Sequence, residues 1–421
     1  MSDYYPEELM VQIFSRLPPK SLLRFRCISK SWNSQISSPE FISLHTLRIL
    51  LKPSTGTIMR YFSTIERKER YLIVRRDASA YVDPVITLGS PFSGRVRYYC
   101  RIVGVCNGVV CLSNDLFGYD NLLVLWNPRI SRCLTLSTPA HCCDNVWTYK
   151  FVFGFGFAIK MRDYKVVKVA YTHGDYQDLA PPKVEVYALS SGIWKEFDGF
   201  IPDTGVIEYF WTQAVVCGKV HWTAYKRTGE GRRVENLIMV FDLNDEIFQE
   251  LSLPEVLVNE IPLNLNAAEC RELLVVYQYD IRIWSSSCSI RVMKQYGDTE
   301  SWSKEYNVAL GHEHLMVLGI SDNSEILLTE SIGMLALYNP ETQKKESFCI
   351  PGTEYSFYFD TYQESLVLLD KGVVLPPLDL PSEKTTDDDE DEENDAENAP
   401  QSWMHYLMHQ YLTAFLGAGN I

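Results

Sequence analysis

The stretch VEVYALSSGIWKEF, residues 184–197, reads as an apolar strand, a polar turn and a second strand that carries an aromatic residue soon after the turn. The pattern recurs in VLWNPRISRCLTL (124–136), IMVFDLNDEIFQEL (238–251), IRVMKQYGDTESWSKEY (290–306) and LALYNPETQKKESF (335–348). Trp194, Phe248 and Trp302, each of which follows a turn, are spaced by 54 and 54 positions. The sequence therefore predicts repeated antiparallel hairpins with a period near 50 residues.

A β-propeller is the architecture that such a repeat favours, because a single four-stranded blade cannot cover both of its faces and stacks against neighbours around a ring. Residues 60–380 keep the same strand-like character between Gly, Asn, Asp and Pro turn signals. At roughly 50 residues per blade, this length predicts about six blades, with seven as the alternative. To close the ring, the last strand, which begins near Ser356, has to pair with an early one, for which YLIVRR (71–76) is the candidate.

Further motifs in this region relate it to a known family. They are GVCNGVVCL (104–112), FGFGF (153–157), YKVVKV (164–169) and GKVHWTAY (218–225). Together with the hairpins, and in this order, they resemble the F-box-associated domain of plant F-box proteins, a kelch-like group that includes S-locus F-box proteins and regulators of defence receptors. The diglycine of kelch repeats themselves is missing. The resemblance spans most of residues 100–370 and implies an all-β, kelch-like propeller; it does not separate the subgroups.

A short helical module precedes the repeats, in PEELMVQIFSRLPPKSLLRFRCISKSWNSQI (6–36). Leu9, Ile13 and Leu17 recur at i, i+4 and i+8 and predict one apolar helix face, which the following Pro-Pro pair ends. A second helix is predicted from about residue 20 to 28, and a third begins at the Ser29 cap and ends at Pro39. Three helices in about 40 residues bury little apolar surface, so the module predicts a partner chain.

The module resembles an F-box. The resemblance is carried by Pro6, Glu8, Leu9, Ile13, Arg16, Leu17, Pro18, Lys20, Ser21, Leu22, Arg24, Phe25, Cys27, Lys30, Ser31 and Trp32, whereas Tyr5 stands where the family has Leu or Ile. It implies docking onto an SKP-family adaptor and, through it, onto a cullin-RING ubiquitin ligase. The adaptor-binding residues that it implies are Pro6, Leu9, Ile13, Leu17, Pro18, Leu22, Phe25, Cys27 and Trp32.

Charge and composition narrow the function classes. Of the formal net charge of -15, the run from Glu383 to Glu397 carries -9, because it has ten acidic residues and one Lys, so the remainder carries -6. That balance argues against a nucleic-acid binder, which needs a basic surface for phosphates. The sequence has no run of the roughly 20 apolar residues that a membrane helix needs, and no apolar segment follows Met1 as in a signal peptide. With 11 scattered cysteines, we expect reduced thiols in the cytoplasm, the nucleus or both.

The carboxyl-terminal region has two interpretations. Residues 381–402 are acidic and of low complexity, which predicts a disordered linker that acts as a solvating spacer. The alternative is long-range attraction of a basic target protein. Residues 403–421, which begin with WMHYLMHQYLTAFLG, form an apolar segment in which His405 and His409 are expected at the surface rather than on a metal.

Motifs that suggest small-molecule chemistry are weak in this sequence. Gly154 and Gly156 form GxG without a third glycine or a following helix, and we interpret them as a tight bend between strands. His312 and His314 have no third ligand nearby, and the adjacent cysteines 142 and 143 make poor chelators. The tryptophans 194, 222 and 302 are expected to pack the blades. No cofactor, metal or catalytic residue is predicted.

The sequence thus predicts a small all-α F-box at residues 1–48 and a connection with the first strands at 49–99. The propeller domain follows at 100–380. The two folded units are expected to have separate cores. The function that the resemblance implies is recognition of a protein target by a ubiquitin ligase, with no covalent chemistry in this chain. A non-degradative scaffold with the same adaptor contact is the alternative, and an enzyme built on a propeller is a third hypothesis.

Overall fold

The computed structural model describes residues 6–51, 56–66, 68–75, 84–88, 100–114, 122–137, 149–172, 182–202, 205–208, 213–228, 233–280, 286–311, 316–321, 324–330, 334–350, 352–353 and 356–374. The amino-terminal module has four helices in this part of the chain. They are α1 (Glu7–Phe14), α2 (Pro19–Phe25), α3 (Lys30–Ile36) and α4 (Pro39–Leu50). A short helix, α5 (Glu255–Val258), lies in the later β region.

The Ser29 cap of the third helix is confirmed, because its hydroxyl accepts a hydrogen bond from the Trp32 amide at 3.1 Å. Pro39 does not only end the preceding segment. It occupies the first turn of α4, where a missing N–H costs nothing, and the Ser38 hydroxyl caps that helix through the Phe41 amide. The fourth helix is therefore an addition to the three that the sequence predicts.

The β region forms six antiparallel sheets among the described residues, which confirms a propeller of six blades. Blade 1 contains β1 (Gly56–Ser63), β2 (Lys68–Arg75), β3 (Pro84–Leu88) and the late strand β25 (Tyr358–Tyr362). Blade 2 contains β4 (Arg101–Cys106), β5 (Val109–Ser113), β6 (Leu123–Asn127), β7 (Arg132–Thr135) and β26 (Val373–Val374). Blade 3 contains β8 (Tyr149–Ala158), β9 (Asp163–Thr172), β10 (Lys183–Ala188) and β11 (Ile193–Glu196).

The other three blades follow in chain order. Blade 4 contains β12 (Val206–Ile207), β13 (Ala214–Val216), β14 (Lys219–Thr228), β15 (Arg233–Asp242) and β16 (Ile247–Ser252). Blade 5 contains β17 (Leu265–Cys270), β18 (Leu273–Asp280), β19 (Ser286–Met293) and β20 (Trp302–Gly311). Blade 6 contains β21 (Val317–Ile320), β22 (Ile326–Glu330), β23 (Met334–Asn339) and β24 (Lys344–Cys349).

Strand β25 closes the ring by becoming the first strand of blade 1. It pairs antiparallel with β1, with Gly56 opposite Tyr362 and Arg60 opposite Tyr358. The prediction that YLIVRR is the closing partner is wrong, because residues 71–75 of that run lie in β2, one strand further out. Closure covers the inner edge of β1, which then pairs with β25 on one side and with β2 on the other.

Apolar clusters lie between neighbouring blades, and they account for the high aromatic content. Trp222 is 1% exposed between blades 3 and 4, and its indole N–H donates to the Phe153 carbonyl at 3.1 Å. Trp194 and Trp302 pack at two other blade interfaces. The prediction that the three tryptophans pack the blades is confirmed.

The interpretation of Gly154 and Gly156 as a bend is wrong. Both lie inside β8, which runs extended from Tyr149 to Ala158. A Cβ at Gly154 would lie 2.5 Å from the Trp222 ring, and one at Gly156 would lie 2.6 Å from a Leu243 methyl group. These glycines therefore allow blade 4 to approach blade 3 closely.

The helical module and the propeller share one apolar core, so the expectation of separate cores is wrong. Phe14, Leu22 and Ile36 of the module pack in one cluster with Ile130 of blade 2. Leu366 and Leu369, which follow β25, join the same cluster together with Phe41 and Ile42. Leu366 is fully buried there. The carboxyl-terminal end of the ring therefore completes the core of the amino-terminal helices.

Several sequence predictions concern residues outside the described part of the chain. These are the pair His312 and His314, the cysteines 142 and 143 and everything from residue 375 onward, including the acidic run.

Candidate functional site

Helix α1 presents an apolar face to solvent. Leu9 is 43% and Ile13 is 44% exposed, and their spacing of four positions places them on the same side of the helix. Pro6, Pro18 and Cys27 of the predicted adaptor-binding set are exposed as well. Exposed apolar side chains on a small module whose own core is already filled are the kind of surface that a partner covers.

The other predicted residues support this face from within. Leu22 is fully buried, so its side chain is not presented at the surface of the free chain. Phe25 and Trp32 are half-buried and stack edge-on at a centroid distance of 5.8 Å, with Phe14 beneath them. Leu17 is half-buried in the same cluster. Truncation of Leu22 would therefore disturb the fold rather than a contact.

Sequence reasoning missed two exposed apolar residues of the module. Ile28 is 61% and Leu44 is 42% exposed. Leu44 lines a groove of about 550 Å³ between α1, α3 and α4, together with Val11, Phe41 and polar residues of α3. Ile28 belongs to the apolar pattern of the predicted second helix, so a sequence signal for it exists. Leu44 lies on α4, a helix that the sequence analysis does not predict because it interprets Pro39 as the end of the helical module.

The segment that follows β25 fixes the module to the propeller. The Gln363 amide donates to the Ile49 carbonyl at the end of α4, at 2.7 Å. Glu364 pairs with Arg129 of the β6–β7 turn at 2.8 Å. The buried Asn127 amide donates to the Ser365 and Val367 carbonyls at 3.1 and 2.8 Å. Because this segment contacts both α4 and blade 2, it fixes the orientation of the exposed α1 face relative to the propeller.

These contacts also identify which propeller face the module occupies. In each blade, the turns that join the first strand to the second and the third to the fourth lie on one face. The module packs on that face, at the β6–β7 turn and at the end of β25. The connections between blades leave from strand ends on the opposite face, which is where propellers commonly bind their ligands.

One such connection on the opposite face is a rigid platform. Residues 253–264 join blades 4 and 5, with Leu253, Leu257 and Leu263 buried beneath them. The buried Asn236 amide donates to the carbonyls of Leu257 and Glu260, at 2.9 and 2.7 Å. Val256 is 58% exposed on this platform, and Ile261 is also exposed. Phe200, 75% exposed, lies in the connection between blades 3 and 4.

Two titratable side chains of the ring have strongly shifted pKa values. Burial raises the pKa of Asp360 on β25 to about 7, and the negative charge of Glu269 acts in the same direction, although the Tyr358 hydroxyl donates to Asp360 at 2.7 Å. Burial lowers the pKa of His221 on β14 to about 4, and this imidazole contacts the Tyr296 hydroxyl at 2.8 Å. Both groups pack inside the ring, and neither lies beside a cluster of metal-ligating side chains in the described ranges.

Within the part of the chain that the structure describes, no helix is long and apolar enough to cross a membrane.

Comparisons with known proteins match both parts of the chain. A family model described as the F-box associated beta propeller domain matches residues 64–367, and the F-box domain matches residues 6–44. An F-box/kelch-repeat protein of Arabidopsis thaliana is 29% identical over 79% of this chain and 87% of its own length. The Arabidopsis thaliana F-box protein CPR1 is 26% identical over 87% of this chain and 89% of its own length.

Solved structures resemble the chain weakly. A YCF48 protein from Cyanidioschyzon merolae is 8% identical, with a TM-score of 0.33 over 72% of this chain and 88% of that one. Likeness at this level carries no functional argument.

Proposed function

The chain belongs to the F-box-associated β-propeller family and carries an F-box domain, and from that premise we propose that it is the target-recognition subunit of a cullin-RING ubiquitin ligase. F-box domains generally bind an SKP-family adaptor. In this proposal the exposed face of α1 docks onto that adaptor, and the propeller holds the protein that receives ubiquitin. The observation that supports it best is the pair of exposed apolar residues, Leu9 and Ile13, on a module whose core is already complete.

The chain itself would carry out no covalent chemistry. Its contribution would be to hold a target near a ubiquitin-loaded enzyme, which raises the effective concentration of the target lysines at that enzyme. A fixed geometry favours this role, because the segment after β25 contacts α4 through Gln363 and blade 2 through Glu364 and Asn127. We place its action in the cytoplasm, the nucleus or both.

The propeller face opposite the F-box is the proposed target-binding surface. On that face the platform at residues 253–264 presents Val256 and Ile261, and Phe200 lies in the neighbouring connection. Exposed apolar side chains on an anchored backbone suit binding, since little conformational entropy is lost when a partner covers them. The double variant Val256→Ser with Phe200→Ser should lose target binding and keep adaptor binding.

The proposal is tested by the turnover of captured proteins. Wild-type chain and a Leu9→Ala with Pro18→Ala variant would be expressed in cells, and proteins held by the propeller would be quantified with and without proteasome inhibition. Targets of a receptor should accumulate with the variant and under inhibition. Proteins that bind the propeller but keep constant levels in all conditions would instead support a non-degradative scaffold.

A further inference from the structure

The F-box carries a run of positive charge that its fold does not neutralise. Residues 16–30 contain Arg16, Lys20, Arg24, Arg26 and Lys30 and no carboxylate. Lys20 and Arg24 lie four positions apart on α2, so they share one side of that helix. Among the described residues none of these five cations forms an ion pair with a carboxylate, and all but Arg26 are exposed.

Blade 2 extends this basic face with Arg132. Helix α2 packs against the Pro128–Ile130 turn, and Arg132 follows directly in β7. Burial lowers the pKa of the Arg26 guanidinium, and the positive charge of Arg132 acts in the same direction. We define the basic face as Arg132 with the five cations of the F-box run, which are Arg16, Lys20, Arg24, Arg26 and Lys30.

The described chain ends beside this face. Strand β26 pairs with β7, with Val374 directly opposite Arg132, and the Arg132 guanidinium donates to the Gly372 carbonyl at 3.3 Å. From Val374 the sequence needs nine more residues to reach Glu383, where the run of ten acidic residues and one Lys begins. At roughly 3.5 Å per extended residue, that run starts within about 30 Å of Arg132.

We propose that the acidic run Glu383–Glu397 binds the basic face of the F-box in the same chain. The sign and size of the charges match, since the run carries -9 and the face carries six cations that form no ion pair with a described carboxylate. A short tether gives an effective concentration in the millimolar range, so a contact with a dissociation constant near 1 mM is already about half occupied. Attraction between exposed charges is screened by salt, which gives the contact a measurable signature.

The consequence for adaptor binding rests on the proposed function. The basic face adjoins the exposed F-box residues Pro18 and Cys27, so a bound acidic run would compete with a partner at that surface. The test below measures the tail contact without an adaptor, and therefore its failure is distinct from a failure of adaptor docking.

Zero-length cross-linking of the full chain tests the proposal, because a carbodiimide joins a lysine amine to a carboxylate that touches it. The reporters are Lys20 and Lys30, and the matched controls are the exposed Lys304 of blade 5 and Lys344 of blade 6. In dilute protein at low salt we expect at least fivefold more tail-linked peptide at the reporters than at the controls. At 0.5 M NaCl the excess should disappear.

A charge variant separates binding from accidental proximity. Arg16→Gln with Arg24→Gln removes two exposed cations that flank Lys20 and should lower its cross-link yield severalfold, whereas Arg16→Lys with Arg24→Lys should keep it. Equal yields at reporters and controls, or yields that do not change with salt, would overturn the proposal. In a mixture of isotope-labelled and unlabelled protein, products that join the two labels would show a second copy as the occupant and would also overturn it.

Discussion

Leu366→Ala should destabilise the F-box helices although the residue lies more than 300 positions after them in the sequence. Leu366 is fully buried in the cluster that contains Phe14, Leu22, Ile36 and Phe41. Truncating a leucine at such a site costs about 2 to 5 kcal/mol, through lost transfer energy and the cavity that remains. If the helices open locally, amides of α2 and α4 should exchange about 30-fold faster or more, because each 1.36 kcal/mol is a factor of ten.

Hydrogen exchange followed by mass spectrometry measures this effect segment by segment. Leu265→Ala is the matched control, since Leu265 is 1% exposed in the cluster between blades 4 and 5, away from the F-box. It should lower the stability of the propeller without a comparable direct effect on local opening of α2 and α4. Unchanged exchange in α2 and α4 of Leu366→Ala, with a loss of stability confined to the propeller, would refute the shared core.

Three further predictions concern the ring and its ends. Gly108→Ala should lower the melting temperature markedly, because φ is +78° at this position and the added Cβ would collide with the Gln363 carbonyl oxygen. An unchanged melting temperature would contradict that contact. A chain cut before Ser356 should be insoluble or molten because it loses β25 and the core residues after it, whereas one cut before Thr385 should melt like the full chain. A soluble, cooperatively melting product of the first cut would count against ring closure. Since burial raises the pKa of Asp360 to about 7 in the folded state, the neutral form stabilises the fold below about pH 4 and that contribution is lost as the pH rises through 7. In urea titrations from pH 4 to pH 8, the unfolding free energy of Asp360→Asn should therefore rise relative to that of the wild type, by at most about 4 kcal/mol. A difference in unfolding free energy that does not change with pH would contradict the shifted pKa.

Local sequence patterns were sufficient to predict the repeated hairpins and most of the F-box helices. The spacing of Trp194, Phe248 and Trp302 predicted the blades because each aromatic residue follows the turn of one hairpin, and that turn is a local feature. Ser29 was found as a helix cap for the same reason. Pro39 was ambiguous in principle, since a proline is compatible both with the end of one helix and with the first turn of the next.

Long-range packing could not be predicted in this way. The runs at 56–63 and 68–75 are both apolar and strand-like, and no local pattern states which of them pairs with β25. Leu366 and Leu369 look like ordinary residues of a final strand, and their place in the F-box core depends on closure of the whole ring. The prediction of a bend at Gly154 is wrong for the same reason. This position needs a glycine because the Trp222 ring packs against it, and Trp222 lies 68 positions later in the sequence.

The exposed face of α1 is the part of the proposal that a single binding measurement tests most directly. Purified full-length chain would be titrated with a purified SKP-family adaptor, in parallel with Leu9→Ala with Ile13→Ala and with a control, Ile65→Ala, which truncates a residue 77% exposed on the propeller. Covering each α1 side chain at an interface is worth on the order of 1 to 3 kcal/mol. We therefore expect one-to-one binding by the wild type and the control, and a loss of at least tenfold in affinity for the double variant. No binding by the wild type, or equal affinity in the double variant, would contradict adaptor docking through this face.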